Sequence, residues 1–142
     1  MRITYLLDTN IVSYLLRKAP RPLLDRLAAT SRDDIAISII TAMELRFGVA
    51  RNPLARNVKT AVETFLGAFP ILNLPDGIAP LYGKVRADLE RRGTPIGPLD
   101  NIIAAHALSL DATLVTNNTR EFRRVTGLVC EDWTRRARER RH

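Results

Sequence analysis

The sequence predicts an α/β fold in which a central, mainly parallel sheet of four to five strands is covered by helices on both faces. Three observations carry that expectation. Short runs rich in Ile, Leu and Val alternate with longer segments of helical spacing along the chain. Those short runs are apolar almost throughout, as strands buried on both sides are. And 142 residues, 46% hydrophobic and 26% charged, make one ordinary domain long enough to bury a core.

The elements follow in order. Residues 3–7, Ile-Thr-Tyr-Leu-Leu, read as a buried strand that stops on Asp8. Thr9-Asn10 opens an amphipathic helix through Leu16, and Ala19-Pro20-Arg21-Pro22 breaks it. Leu23, Leu24, Leu27 and Ala28 give a short second helix, and Asp33-Asp34 a turn. Residues 35–38 are the second strand, followed by a helix with Ile40, Met43, Leu45, Phe47 and Val49. Pro53 punctuates it, and Val58, Ala61, Val62, Phe65 and Leu66 define the next helix. Residues 70–74 form a third short strand, and 76–92 a long helix with Ile78, Leu81, Val85 and Leu89 inward. Gly93 closes that helix, a rigid Gly-Pro loop covers 93–98, and a helix follows over 99–110. A fourth strand over 113–116, a short helix over 119–125 and an edge strand at 128–130 complete the order. No repeat, low-complexity stretch or linker divides the chain, so residues 1–134 form the domain and 135–142 a frayed basic tail.

Charge narrows the function. Lys and Arg number 22 against 15 acids, net +7, with a pI near 10.5. Such a surface favours polyanions, nucleic acid first. A membrane is disfavoured, because no run reaches a spanning length and no segment pairs a basic face with a bulky apolar one. Cys130 is the single cysteine, which excludes an internal disulfide and a Cys-based metal cage. The first residues do not read as a signal peptide, since Asp8 interrupts the apolar run. A cytoplasmic protein is expected.

Four polar side chains share one kind of position. Asp8 follows the first strand, Glu44 lies in the first turn after the second, Asp100 in the first turn after the Gly-Pro loop, and Asn118 between the fourth strand and its helix. Taken singly, each has a commoner reading as a helix cap, with Thr41-Ala42-Met43-Glu44 fitting a capping box. Taken together, they start helices that follow parallel strands, and such starts lie at one edge of a sheet, where ligands bind. Converging carboxylates raise one another's pKa, and a divalent cation removes that penalty. Oxygen donors without Cys or His suit Mg²⁺ or Mn²⁺, ions that serve phosphoryl chemistry.

Leu6-Leu7-Asp8-Thr9-Asn10, Thr41-Ala42-Met43-Glu44-Leu45-Arg46-Phe47-Gly48, Pro98-Leu99-Asp100-Asn101-Ile102-Ile103-Ala104-Ala105-His106-Ala107 and Leu114-Val115-Thr116-Asn117-Asn118 resemble, as a set and in order, the PIN domain. Within it the chain is similar to the VapC toxins of type II toxin–antitoxin systems. The resemblance implies a three-layer α/β/α sandwich and a Mg²⁺-dependent endoribonuclease, with catalytic and metal-binding roles for Asp8, Glu44 and Asp100. It further implies a VapB-type antitoxin that binds operator DNA, a toxin homodimer within the complex, and structured RNA such as tRNA as substrate. Many PIN domains carry a fourth acid where this chain has Asn118. An amide can orient water but adds no charge, so one tightly held ion is expected. Thr116, Asn117 and Arg46 are candidates for positioning substrate, with strand-end and capping roles open for the first two.

Between residues 45 and 62 stand Arg46, Arg51, Arg56 and Lys59 without an acid; residues 120–142 hold eight Arg against four acids, a net of +4. Such groups neutralise phosphates without reading sequence, or simply keep a face solvated. His106 lies off the face of its helix that carries Asp100 and is set aside as a catalytic base. Trp133, Phe122 and Tyr5 are read as packing residues, and Met43 and Phe47 as core or dimer surface. Two rivals remain. One is a PIN-like module that binds RNA or antitoxin without cutting. The other is a phosphotransferase of the haloacid dehalogenase type, against which Asn10 stands where a second Asp is needed. No Gly-rich turn follows the first strand, which argues against a dinucleotide site.

Overall fold

The computed structural model describes residues 2–136. Of the basic tail expected over 135–142, residues 137–142 lie outside the described residues. The strands are β1 (Tyr5–Leu7), β2 (Ile35–Ser38), β3 (Ile71–Leu72), β4 (Thr113–Val115) and β5 (Cys130–Glu131). The helices are α1 (Thr9–Arg17), α2 (Arg21–Ala28), α3 (Ile39–Ala50), α4 (Arg56–Ala68), α5 (Ile78–Arg91), α6 (Pro98–Ser109) and α7 (Thr119–Phe122). A 3-10 turn, Arg32–Asp34, leads into β2.

All four strand pairings are parallel, in the order β3-β2-β1-β4-β5. The expected sheet is therefore present at its upper strand count. β1 is central, with Leu7 level with Ile37 on one side and Val115 on the other. The residues just beyond, Asp8, Ser38 and Thr116, thus reach the same edge of the sheet.

Alternation along the strands separates two cores. Leu6, Ala36 and Leu114 face Val85 and Leu89 of α5, Ile103 and Ala107 of α6 and Phe122 of α7. Leu7, Ile35, Ile37 and Val115 face Ile11 and Val12 of α1, Leu23 of α2, Leu45 of α3 and Phe65 of α4. Both faces are covered, which is why the strand sequences are apolar throughout. Trp133 joins the second core at 2% exposure, edge-on to Tyr5 at a 4.9 Å centroid distance. Trp133, Phe122 and Tyr5 are packing residues, as read from the sequence.

Element ends differ from expectation for local reasons. β3 is two residues long; it starts after Pro70, which has no N–H to give and whose carbonyl accepts from the Ile37 amide at 3.0 Å. α5 begins at Ile78, whose amide bonds the Pro75 carbonyl at 3.1 Å and so closes a turn first. α6 begins on Pro98, where the missing N–H costs nothing. Gly127, at φ +82°, turns the chain so that β5 pairs two residues later than expected. Among the described residues no helix is long and apolar enough to cross a membrane.

Candidate active site

The order of the sheet places the site. The chain runs from β1 to β2 on one side and returns to β4 on the other, so helices diverge beyond the end of β1. A crevice opens at such a switch point. Asp8 is the residue at its base.

Asp8 caps α1: its Oδ1 accepts from the Ile11 amide at 2.8 Å. It is only 3% exposed. Burial pushes its carboxyl up to about 6 against the pull of hydrogen bonds from the Thr116 hydroxyl and the Ile11 amide, and Asp100 and Glu44 push the same way. The capping reading therefore holds, and the capping carboxylate is also a buried one with a raised pKa. Thr116 is fully buried; its hydroxyl serves Asp8 and accepts from the Asn118 amide at 2.9 Å. It positions Asp8 from beneath.

Glu44 is not in a first turn. α3 starts at Ile39, with the Ser38 hydroxyl accepting from the Ile40 amide at 3.1 Å, so Glu44 is its sixth residue and Thr41 caps nothing. The expected capping box is absent because the strand ends on a better-placed serine. Thr41 instead lies 3.1 Å from the Thr9 hydroxyl, and Thr9 donates to Glu44 Oε1 at 2.7 Å. Since Thr9 has one proton to give, Thr41 donates to Thr9. That relay aims Glu44 at the end of β1.

Asp100 is the third residue of α6, as expected, behind Gly97 as N-cap and Pro98. Its half-buried carboxyl is raised to about 6, by burial first and then by Glu121 and Glu44. A Cβ at position 97 would stand 3.4 Å from Asp100 Oδ2, an ordinary contact. Glu121, on α7, is a neighbour of Asp100 that the sequence did not single out. It accepts from the Gly97 amide at 3.4 Å and from the Asn118 side-chain amide. The signal was its spacing, three residues after Asn118, which puts both on one helix face. A fourth carboxylate thus stands beside Asp100 although position 118 holds an amide.

The remaining candidates lie further off. Asn118 starts α7 without capping it. Asn117 donates to the Tyr14 hydroxyl at 3.3 Å, tying β4's end to α1. Arg46 is exposed and leans toward Glu63 of α4 at 3.8 Å. His106 is fully buried, its Nδ1 2.8 Å from the Ser38 hydroxyl, and burial lowers its pKa. It braces α3 against α6.

Among the described residues, no three Asp, Glu, His or Cys side chains close on one point as a rigid cage would. After burial, Asp100 and Glu44 raise the pKa of Asp8, and Glu121 and Glu44 that of Asp100. That donor chemistry, all oxygen and short of neutralising charge, fits Mg²⁺, which binds through one or two carboxylates and keeps several waters.

The sequence profile of the PIN domain matches residues 5–128. The tRNA(fMet)-specific endonuclease VapC of Shigella flexneri is 36% identical over 132 residues, 93% of this chain and 99% of that protein. Ribonuclease VapC2 of Rickettsia felis is 37% identical over 130 residues, 91% of this chain and 97% of that protein. Of solved structures, VapBC2 from Rickettsia felis bound to a fragment of its promoter superposes at a TM-score of 0.85 and 35% identity, covering 92% of this chain and 99% of the other. FitAcB from Neisseria gonorrhoeae gives 0.80 at 28% identity, covering 92% and 98%.

Proposed function

This chain belongs to the PIN domain family, among the VapC ribonucleases, and on that premise we propose that it is the toxin of a type II toxin–antitoxin pair: a Mg²⁺-dependent endoribonuclease that cuts tRNA-like structured RNA. One observation carries the chemistry. Carboxylates from β1's end, α3 and α6 share a field strong enough to help hold Asp8 and Asp100 near 6. Burial is the larger cause of that cost and the neighbouring acids add to it, a repulsion that a cation would relieve.

Asp8, Glu44 and Asp100 would hold the ion, with Glu121 beside them and Mn²⁺ as a substitute. When bound, Mg²⁺ supplies a more acidic water at neutral pH and offsets charge gathering on the phosphate. The protein's own part is orientation. Thr116 and the Ile11 amide fix Asp8, and the Thr41–Thr9 relay fixes Glu44. Asn118, held by Glu121, is within the same loop and can direct a water without adding charge. The reaction is hydrolysis: a P–O bond forms to water oxygen, the bond to the 3′-oxygen breaks, and 5′-phosphate and 3′-hydroxyl ends result. The 2′-hydroxyl takes no part.

The VapBC structures carry toxin and antitoxin together, one on promoter DNA. For this chain that supports a VapB-type antitoxin as partner and operator contact through the antitoxin; a toxin homodimer within the complex belongs to the same proposal.

The deciding experiment is cleavage of a total tRNA pool by antitoxin-free protein with Mg²⁺, with EDTA, and as Asp8→Ala, with the ends sequenced. Discrete cuts needing both metal and Asp8 are expected. Ends carrying 2′,3′-cyclic phosphate would overturn the mechanism. No cutting of any RNA by folded, Mg²⁺-loaded protein would leave a binding module.

A further inference from the structure

Around Glu44, α3 turns two large groups outward. Met43 is 58% exposed and Phe47 65%, so of the two places the sequence allowed them, core or dimer surface, the core is ruled out. They line a groove of about 900 Å³ between α1, α3 and α4 that begins at Thr9 and Glu44. Leu99, next to Asp100, forms its opposite lip at 43% exposure. Glu44, Phe47 and Arg51 follow one another at intervals of three and four, so they share one face of α3. Phe47 stands about 5 Å along the helix from Glu44. The Arg51 guanidinium lies over its ring at 5.6 Å from the centroid.

We propose that Phe47 is a stacking platform for an unpaired RNA base beside the scissile phosphate, with Arg51 neutralising the adjoining phosphate. This rests on the ribonuclease reading and adds the form of the substrate: a single-stranded segment, since a paired base offers no free face. Charge points to RNA as the occupant. Two cations, Arg51 and Arg17, line the groove, and its one acid, Glu44, lies at the end where the metal would sit. Continuity points the same way, because a strand whose phosphate sits at the acids must lay its next base into the groove mouth. Stacking on an exposed ring does not depend on which base is presented.

The test uses the full chain in EDTA, so that nothing is cut, and a single-stranded oligoribonucleotide of ten nucleotides carrying 2-aminopurine. Binding should quench the fluorophore. Phe47→Ala should remove the quenching and weaken binding between about fivefold and a hundredfold, while Phe47→Trp keeps both. Circular dichroism confirms that each variant folds. Quenching unchanged in Phe47→Ala overturns the proposal, as does no quenching by wild type at about 100 µM protein, the weak end of ordinary non-specific binding. Loss of self-association in Phe47→Ala, with RNA quenching intact, would assign the face to a second copy and overturn it too. The two readings fail separately. Quenching without Mg²⁺-dependent cutting of any RNA supports the platform and removes the nuclease; cutting without quenching does the reverse.

Discussion

At Asp8, the oxygen that caps α1 belongs to a carboxylate whose charge is resisted by burial. Its folded pKa of about 6 exceeds the ordinary 3.8, so the folded state holds a proton that the unfolded chain releases. The stabilisation is fully present below about pH 4 and is lost as pH rises through about 6. The displacement is worth about 3 kcal/mol at most, at about 1.4 kcal/mol per pH unit. Metal-free protein should therefore melt several degrees higher at pH 4.5 than at pH 7.5 on account of this site. Asp8→Asn, which keeps an oxygen for the Ile11 amide, should raise the melting temperature at pH 7.5 in EDTA while abolishing cutting. A lower melting temperature in Asp8→Asn would show that the cap outweighs the buried charge. Cutting by wild type should fall as pH drops through about 6, since protonated acids hold no cation. Glu121→Gln should raise the Mg²⁺ needed for half-maximal cutting about tenfold, the scale of outer ligands; an unchanged requirement would remove Glu121 from the site. Asp8 and Asp100 stand where strand-end and helix-start chemistry, which is local, puts them, and Thr116 was singled out at a strand end; Glu44, expected in a first turn, is the sixth residue of α3. Thr9 and Glu121 were not legible as site residues, because their partners lie on other elements; Thr9 meets Glu44 across 35 positions.

At the scale of elements, α3 shows what a residue pattern leaves open. Thr41 with Glu44 three positions on satisfies the capping-box rule, yet Ser38 ends β2 in an extended conformation and caps first. The choice depends on where the sheet stops, which the alignment of Leu7 with Ile37 and the packing around it decide. Ser38 also meets buried His106 of α6, so one hydroxyl serves the N-terminus of the Glu44 helix and its link to the Asp100 helix. Ser38→Ala removes both and leaves a buried ring nitrogen unpaired. Urea unfolding should report a loss of about 2 kcal/mol, above the roughly 1 kcal/mol of a cap alone. A loss no larger than a few tenths would mean that water takes over both bonds. Helix and strand identities were readable throughout, because spacing of apolar residues decides them. Their ends were not, because Pro70, Gly127 and Ser38 act through specific backbone bonds.

Over the whole molecule, two asymmetries coincide. The strand order brings residues 8, 44, 100 and 121 to one sheet edge, and the cations of residues 45–62 lie on helices leading away from it. On the proposed function the acids would gather a cation while the basic wall would gather the polyanion, so the two charges are needed side by side and not averaged. Parallel order made the first asymmetry foreseeable. The second needed coordinates, which show Arg51 and Arg17 in the groove while Arg46 leans toward Glu63. If the wall neutralises phosphates, binding of single-stranded RNA must weaken with salt as counterion release requires, by about 0.7 in log–log slope per phosphate contact. Three contacts would lower affinity about twentyfold between about 50 and 200 mM salt. Arg51→Gln should reduce the slope by about 0.7. Arg86→Gln removes the same unit of charge from an α5 residue already paired with Glu90, and should leave the slope alone. Equal changes in both variants would mean that the RNA feels only the net charge of +7, and the groove would lose its claim to the strand.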